Sequence, residues 1–265
     1  MTAKLHRVHI PGAGEAFVSQ GSGHPFEAYD VIPRGFSIGD ILRLGNKSFV
    51  LAKAGAAITS TGLGAKNGLF QGVAYNSVAV AADAGATSVT LTTAATDGAA
   101  GTGLMVADEF KGGSIVLFSA GVDTPQVRGI TGNTARVATG NVSVTFTLDS
   151  PLTIALTTSD HGEAMQSAWS HVLQDVEIGH PVVGVPTVTA TSGQYLWLQT
   201  WGPCFVSPQA AVGIAGATGV YWRHDGSLDV ENADAYVSDQ YAGFVLAESS
   251  THTQGAPFFM LQVTP

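Results

Sequence analysis

Cysteine is nearly missing: one thiol, Cys204, stands in 265 residues. This excludes an intramolecular disulfide framework and any metal cluster built from cysteine. With Pro203 and Phe205 beside it, Cys204 reads as a packed structural thiol, because a free cysteine behaves as a small buried hydrophobe. Charge is scarce as well, at 12% of residues against roughly 25% in an average chain. Long apolar runs are lacking, since no stretch approaches the ~18 apolar residues of a membrane span. A soluble chain with no membrane partner is therefore expected. Residues 1–17 carry basic side chains but no apolar run of about 7–15 residues after them, so no secretory signal is expected either.

What is present is glycine, 33 residues of it, and an ordinary hydrophobic share of 45%. Such a length accommodates one large β domain or two small ones with a buried core. The net charge of −9 argues against general nucleic-acid binding, because duplex phosphates repel an acidic protein. The charge is unevenly distributed. Residues 1–136 hold ten of the eleven Lys and Arg and nine of the twenty acids, a balance of +1. From 137 onward Arg223 alone opposes eleven acids, a balance of −10. A strongly acidic surface of this kind favours solubility and selective partners.

Short β-branched runs bounded by Gly, Pro, Asn and Asp dominate the chain and read as strands. They cover residues 77–81, 88–93, 114–119, 143–148 and 153–157, then 186–190, 195–200, 219–223, 241–246 and 258–263. The best helix candidate is 164–173, with Asp160 near its start. Many short strands with Gly-rich turns predict an all-β chain, a β-sandwich or jelly-roll-like domain. The composition turns Ala/Thr/Gly-rich after residue 72, and all four Trp lie from Trp169 onward. The reading is an N-terminal arm over 1–25, a main β domain over 26–72 plus 169–265, and an inserted small β module over 73–168. The last strand, 258–265, is expected to pair with an early one.

The search for chemistry finds no catalytic constellation. Residues 62–68 (GLGAKNG) are Gly-rich, but the third glycine falls one place late for a dinucleotide loop and no GK[ST] follows. They read as a flexible turn. No GxSxG elbow exists, and the Ser22–His24 stretch lacks a strand-to-helix setting; His24 reads as a loop cap. The eight histidines are scattered without HExxH, and His6 and His9 do not share a strand face, where the repeat is two. The run 225–234 (DGSLDVENAD) alternates oxygen ligands, yet its glycine comes second and no bidentate Glu stands at position twelve of a calcium loop. It reads instead as a strand with Asp229 and Glu231 on a wet face, entered through an Asp-Gly turn. No metal and no cofactor is expected. Tyr195 and Trp197 share a strand face and, with Trp201, form a core or subunit interface, or alternatively a sugar-stacking platform.

Three stretches resemble virion proteins of tailed bacteriophages. Residues 192–203 (SGQYLWLQTWGP) look like their SGxYxWxQxxGP hairpin, and 49–59 (FVLAKAGAAIT) resemble their FxxAxAGAAxT segment. Within the inserted module, 85–91, 110–113, 128–133 and 148–152 look like the same proteins. The resemblance implies a capsid decoration (cement) protein or minor head structural protein without enzymatic activity. It further implies a homotrimer that clamps neighbouring major capsid protein subunits on the exterior of the virion, after synthesis in the host cytoplasm. No single binding residue transfers with the resemblance.

The physics of the chain suits that implication, because cementing needs a rigid β body and little charge to desolvate. Lys4, His6, Arg7 and His9, flanked by Gly12, Gly14, Gly21 and Gly23, read as an arm that becomes ordered on a neighbouring shell protein. The candidate partner-binding residues are thus Lys4, His6, Arg7, His9, Tyr195, Trp197 and Trp201. Two rival expectations stand beside this one. The first is a glycan- or receptor-binding β module of a virion tail or head fibre, and the second a β-sandwich enzyme acting on polysaccharides through an unlocated carboxylate pair.

Overall fold

The computed structural model describes residues 6–10, 14–18, 24–68, 72–98, 101–119, 125–137, 142–174, 180–209, 212–213, 218–231, 240–246 and 258–265, the first two by their backbone. In chain order the strands are β1 (His6–Ile10), β2 (Gly14–Val18), β3 (Ile41–Leu44), β4 (Lys47–Lys53), β5 (Ala65–Asn67) and β6 (Val73–Val80). Next come β7 (Ser88–Thr93), β8 (Ser114–Phe118), β9 (Gln126–Asn133), β10 (Val142–Leu148), β11 (His161–Met165) and β12 (Val172–Leu173). The last are β13 (Val182–Pro186), β14 (Tyr195–Cys204), β15 (Gly219–Trp222), β16 (Leu228–Asp229), β17 (Gln240–Val245) and β18 (Phe259–Gln262). The chain is all-β, with no helix among the described residues. It forms two compact units, 1–68 with 169–265, and 69–168.

The second unit is a closed six-stranded barrel in the order β10-β7-β6-β11-β8-β9. Alternation along each strand sends one set of side chains inward. Val89 and Leu91 of β7, Ile115 and Leu117 of β8, and Val144 and Phe146 of β10 are all buried there. Phe110 closes on Phe146 edge-to-face, with ring centroids 5.4 Å apart.

Two sequence expectations fail in this unit. The stretch 164–173 is not a helix. Asp160 Oδ2 accepts the Thr157 amide at 2.6 Å and closes a turn, after which 161–165 run as β11 between β6 and β8. Burial along β11 alternates, with Gly162 and Ala164 inward, so the period is two and not 3.6. Residues 153–157 are not a strand either, because a side chain takes the partner's place. Gln126 Oε1 accepts from the Thr153 and Ile154 amides at 2.8 and 3.1 Å, and its Nε2 donates to Ile154 O at 3.0 Å.

In the first unit a branched sheet is organised around β14. On one side β14 pairs with β4, which carries β3; on the other it pairs with β13 and β18. From β18 the sheet continues through β17 and β15 to β16, and from β13 through β5 to β12. The two branches meet where Gly64 N donates to Gly226 O at 2.7 Å. Val182, Val220, Trp222, Leu228, Phe259 and Leu261 form the core they enclose. A second cluster, Leu42, Phe49, Leu51 and Trp197, lies under Tyr29 and Phe36 of the segment before β3.

Further corrections fall here. The strand expected over 186–190 ends at Pro186, and the chain rejoins only at an isolated bridge between Ala190 and Ile58. The C-terminal strand β18 pairs with β14 and β17, both late in the chain, rather than with an early strand. The Gly-rich stretch 62–68 is not a free turn, since its residues 65–67 are β5, held between β12 and β13. Within the segment expected to be an arm, β1 and β2 pair as an antiparallel hairpin, His6 opposite Val18 and Ile10 opposite Gly14.

Candidate functional site

The candidate residues from the sequence fall into two groups. Lys4, Gly12 and Gly21 with Gly23 lie outside the described residues, and His6, Arg7 and His9 sit on β1 with only their backbone described. The other group lies on β14. Trp197 is fully buried, its ring edge-to-face with Phe36 at 5.1 Å. It is a core residue and presents no surface to a ligand. Tyr195 and Trp201 are half-buried. Tyr195 pairs with Tyr29 through both backbone bonds at 2.8 Å, and the Lys53 ammonium stands 5.8 Å from its ring centroid, the outer range of a cation–π contact.

Beside Lys53 the chain returns to the first unit. Lys53 N donates to Trp169 O and Gly55 N to Val172 O, each at 2.8 Å, and Gly68 N donates to His171 O at 2.9 Å. The His171 ring closes on Gly55, where a Cβ would come within 2.5 Å of it. Burial, and then the Lys53 charge, hold the His171 pKa below the usual 6.5.

The acidic run 225–231 does not form a wet strand face. Asp225 Oδ1 accepts from Ser227 N at 2.9 Å and Ser227 Oγ at 2.5 Å, making a tight turn. Asp229 is buried and takes the Arg223 guanidinium at 2.7 Å; Glu231 alone is exposed. Its continuation, 232–234, lies outside the described residues. No group of three His, Cys, Asp or Glu able to hold a metal occurs among the described residues. His24 serves as a loop cap, its Nδ1 accepting the Phe26 amide at 3.4 Å.

The most distinctive surface is one that sequence reasoning missed. The outside of the barrel has two unlike walls. On β7 and β10 it carries Ser88, Thr90, Thr92, Ser143, Thr145 and Thr147. Their hydroxyls engage across strands: Thr90 with Thr145 at 2.9 Å, and Thr92 with Ser77 of β6 at 3.1 Å. On β6, β11, β8 and β9 aromatic and aliphatic side chains stand on the outer face among Ser77, Ser114 and Thr131. Tyr75, 59% exposed, stacks on His161 with centroids 4.5 Å apart and planes 4° apart, and its ring lies 5.3 Å from that of Phe118. Val116 faces Glu163 on one side and Val127 on the other. Val127 and Met165 are 58% and 59% exposed. Glu163 follows His161 by two residues and shares its face, so an exposed carboxylate sits amid rings and aliphatics.

A second apolar feature of the same unit is a cavity of about 670 Å³ beside the bridge between Met105 and Arg136. Leu104, Val106 and Val137 line it and are exposed. Of its polar members, Glu109 accepts from Gln166 Nε2 at 2.6 Å and Arg136 donates to Ala94 O. The signal for the aromatic wall lies in the alternation along β8 and β11, visible only once those two strands are known to be neighbours. In comparisons with protein-family models, curated proteins and solved structures, the chain matches none.

Proposed function

We propose that the protein is a capsid decoration (cement) protein of a tailed phage, a virion structural protein that bridges major capsid subunits on the shell exterior and has no enzymatic activity. The observation that carries this reading is the exposed aromatic and aliphatic wall of a closed barrel. Contiguous exposed apolar surface marks a docking site, and closure of the barrel makes its wall a rigid one, without free sheet edges. The resemblance of the three sequence stretches supports the same reading, as does the low charge. In it the protein assembles as a homotrimer, the arm over 1–25 contributes to attachment, and neither nucleic acid nor membrane is a partner. For the alternative, a glycan- or receptor-binding module, the triad Tyr195, Trp197 and Trp201 offers two half-buried rings and one buried ring.

The test is co-sedimentation of full-length protein, and of protein lacking residues 1–25, with shells that lack it. Full-length protein is expected to bind, and the truncated protein to remain folded and bind more weakly. Failure of the full-length protein to bind such shells overturns the reading and moves the receptor-binding alternative forward.

A further inference from the structure

We infer that the barrel wall formed by Tyr75, Phe118, Val116, Val127 and Met165 around Glu163 docks a protein partner that presents a basic side chain within an apolar patch. The inference deepens the cement reading and rests on it for the partner's source, a shell subunit. Three observations carry it. First, the wall sets exposed aromatic and aliphatic side chains beside Ser114 and Thr131. The alternating outward positions of β7 and β10, from Ser88 to Thr92 and Ser143 to Thr147, are by contrast all Ser and Thr, with Thr90 and Thr92 bonded across strands. A sheet face built only for water has no use for Tyr75, Val127 and Met165 each at nearly 60% exposure. Aromatic and Met side chains are instead the residues that interfaces collect.

Second, the rings are already ordered. Tyr75 is stacked on the parallel His161 ring at 4.5 Å and contacts the tilted Phe118 ring at 5.3 Å, so docking fixes few additional rotamers. Third, the charge on the wall is of one sign. Glu163 stands exposed on β11 opposite Val116. Apart from the histidine, the four strands contain one cation, Arg128. It keeps its charge but sits opposite buried Ile115, on the other strand parity from Val127. Its guanidinium reaches Pro151 O at 3.0 Å and Val127 O at 2.8 Å. A carboxylate ringed by aromatic and aliphatic groups recognises a cation, through the ion pair and through the ring faces. Two copies meeting wall to wall each bring a carboxylate and no outward Lys or Arg from these four strands, so neither supplies the cation that Glu163 lacks. The occupant is therefore a different surface, supplying Lys or Arg.

The experiment uses full-length protein, the variants Tyr75→Ser, Glu163→Lys and Thr147→Lys, and shells lacking the protein, with thermal melts as a fold check. Tyr75 and Glu163 are exposed, so both variants are expected to fold. Tyr75→Ser is expected to weaken shell binding at least tenfold, and Glu163→Lys at least a hundredfold. Thr147→Lys, on the hydroxyl wall, is expected to bind as the parent does. If the parent binds and the two wall variants bind equally well, the wall assignment is wrong while the cement reading stands. If the parent binds no shell, both fall. Sedimentation velocity of the protein alone supplies the remaining arm: wall variants that dissociate its own oligomer would make this a contact between copies and overturn the inference.

Discussion

Arg223 Nη1 donates to Asp229 Oδ2 at 2.7 Å, joining the end of β15 to β16 across the turn that the two residues bracket. The partners are not equivalent. Asp229 is 3% exposed, whereas 24% of the Arg223 side chain reaches solvent. Asp229 Oδ1 also accepts the Val230 amide at 2.8 Å. Loss of the guanidinium strands a buried carboxylate, so Arg223→Met is expected to cost about 3 kcal/mol of unfolding free energy. Asp229→Asn retains an oxygen for the Val230 amide and leaves an arginine that water reaches, so about 1 kcal/mol is expected. Urea titration of both variants checks this; equal losses would show that the asymmetry of burial carries no energy.

The Cys204 thiol is held protonated. Burial pushes its pKa up to about 12, against smaller opposing effects of the Lys47 charge and the Phe205 backbone. The thiolate is the reactive form, and a free thiol ionises near 8.5. At pH 8 the scarcity of thiolate, partly offset by the greater nucleophilicity of a higher-pKa thiolate, is expected to make the native thiol react with a disulfide reagent about a hundredfold more slowly than the unfolded chain. Timed absorbance with and without denaturant reads the difference. Comparable rates would mean that β14 opens at Cys204 in the native state.

His171 makes stability depend on pH in the mildly acidic range. Its folded pKa lies below 6.5 through burial and the nearby Lys53 charge. As pH falls below the unfolded value near 6.5, the unfolded chain takes up a proton that the folded chain resists. The stabilising contribution of the neutral ring is thus complete above that pH and is lost as pH drops through the folded value. Melting temperatures at pH 7.5 and 5.5 are expected to differ more for the parent than for His171→Gln. The Lys53→Met variant is expected to lie between them, because burial remains when the charge is gone. A parent and His171→Gln that lose equal stability would remove His171 from the acid response.

Strands with strict alternation were legible in the sequence, and β7 begins and ends at the residues expected, 88 and 93. In β7, Ser88, Thr90 and Thr92 face outward while Val89 and Leu91 face the core, a period that local sequence displays. Strands β5, β12 and β16, of two or three residues, are too short to show any period. The helix expectation over 164–173 failed because Asp160 and the apolar spacing mimic a helix start, whereas tertiary pairing with β6 and β8 decides the outcome. The apolar wall was not legible because Tyr75, Phe118 and His161 come from β6, β8 and β11. Sequence neighbours give no indication that β11 lies between β6 and β8.

Gly202 tests how much energy resides in the bulge of β14. It has φ +96°, and a Cβ there would stand 2.3 Å from Asn46 O and 3.1 Å from Lys47 Cα. The pairing of β14 with β4 shifts register between Gln199 and Trp201, just ahead of it. Gln199 Nε2 reaches over the bulge to Trp201 O, Gly202 O and Pro203 O, between 2.9 and 3.3 Å. Gly193, in the turn before β14, is a matched control, with φ +87° and nothing within 4 Å of its missing Cβ. The left-handed backbone alone costs a non-glycine residue about 1–2 kcal/mol, so Gly193→Ala is expected to lose about that much. Gly202→Ala bears the same strain and must also displace the Asn46 carbonyl, backbone that cannot rotate away as a side chain would. Its expected loss is at least about 3 kcal/mol, toward the upper range for a strained position. Chemical denaturation of the pair isolates the close approach. Should the two alanines cost the same, the turn at 45–46 yields freely and the bulge owes its glycine to φ alone.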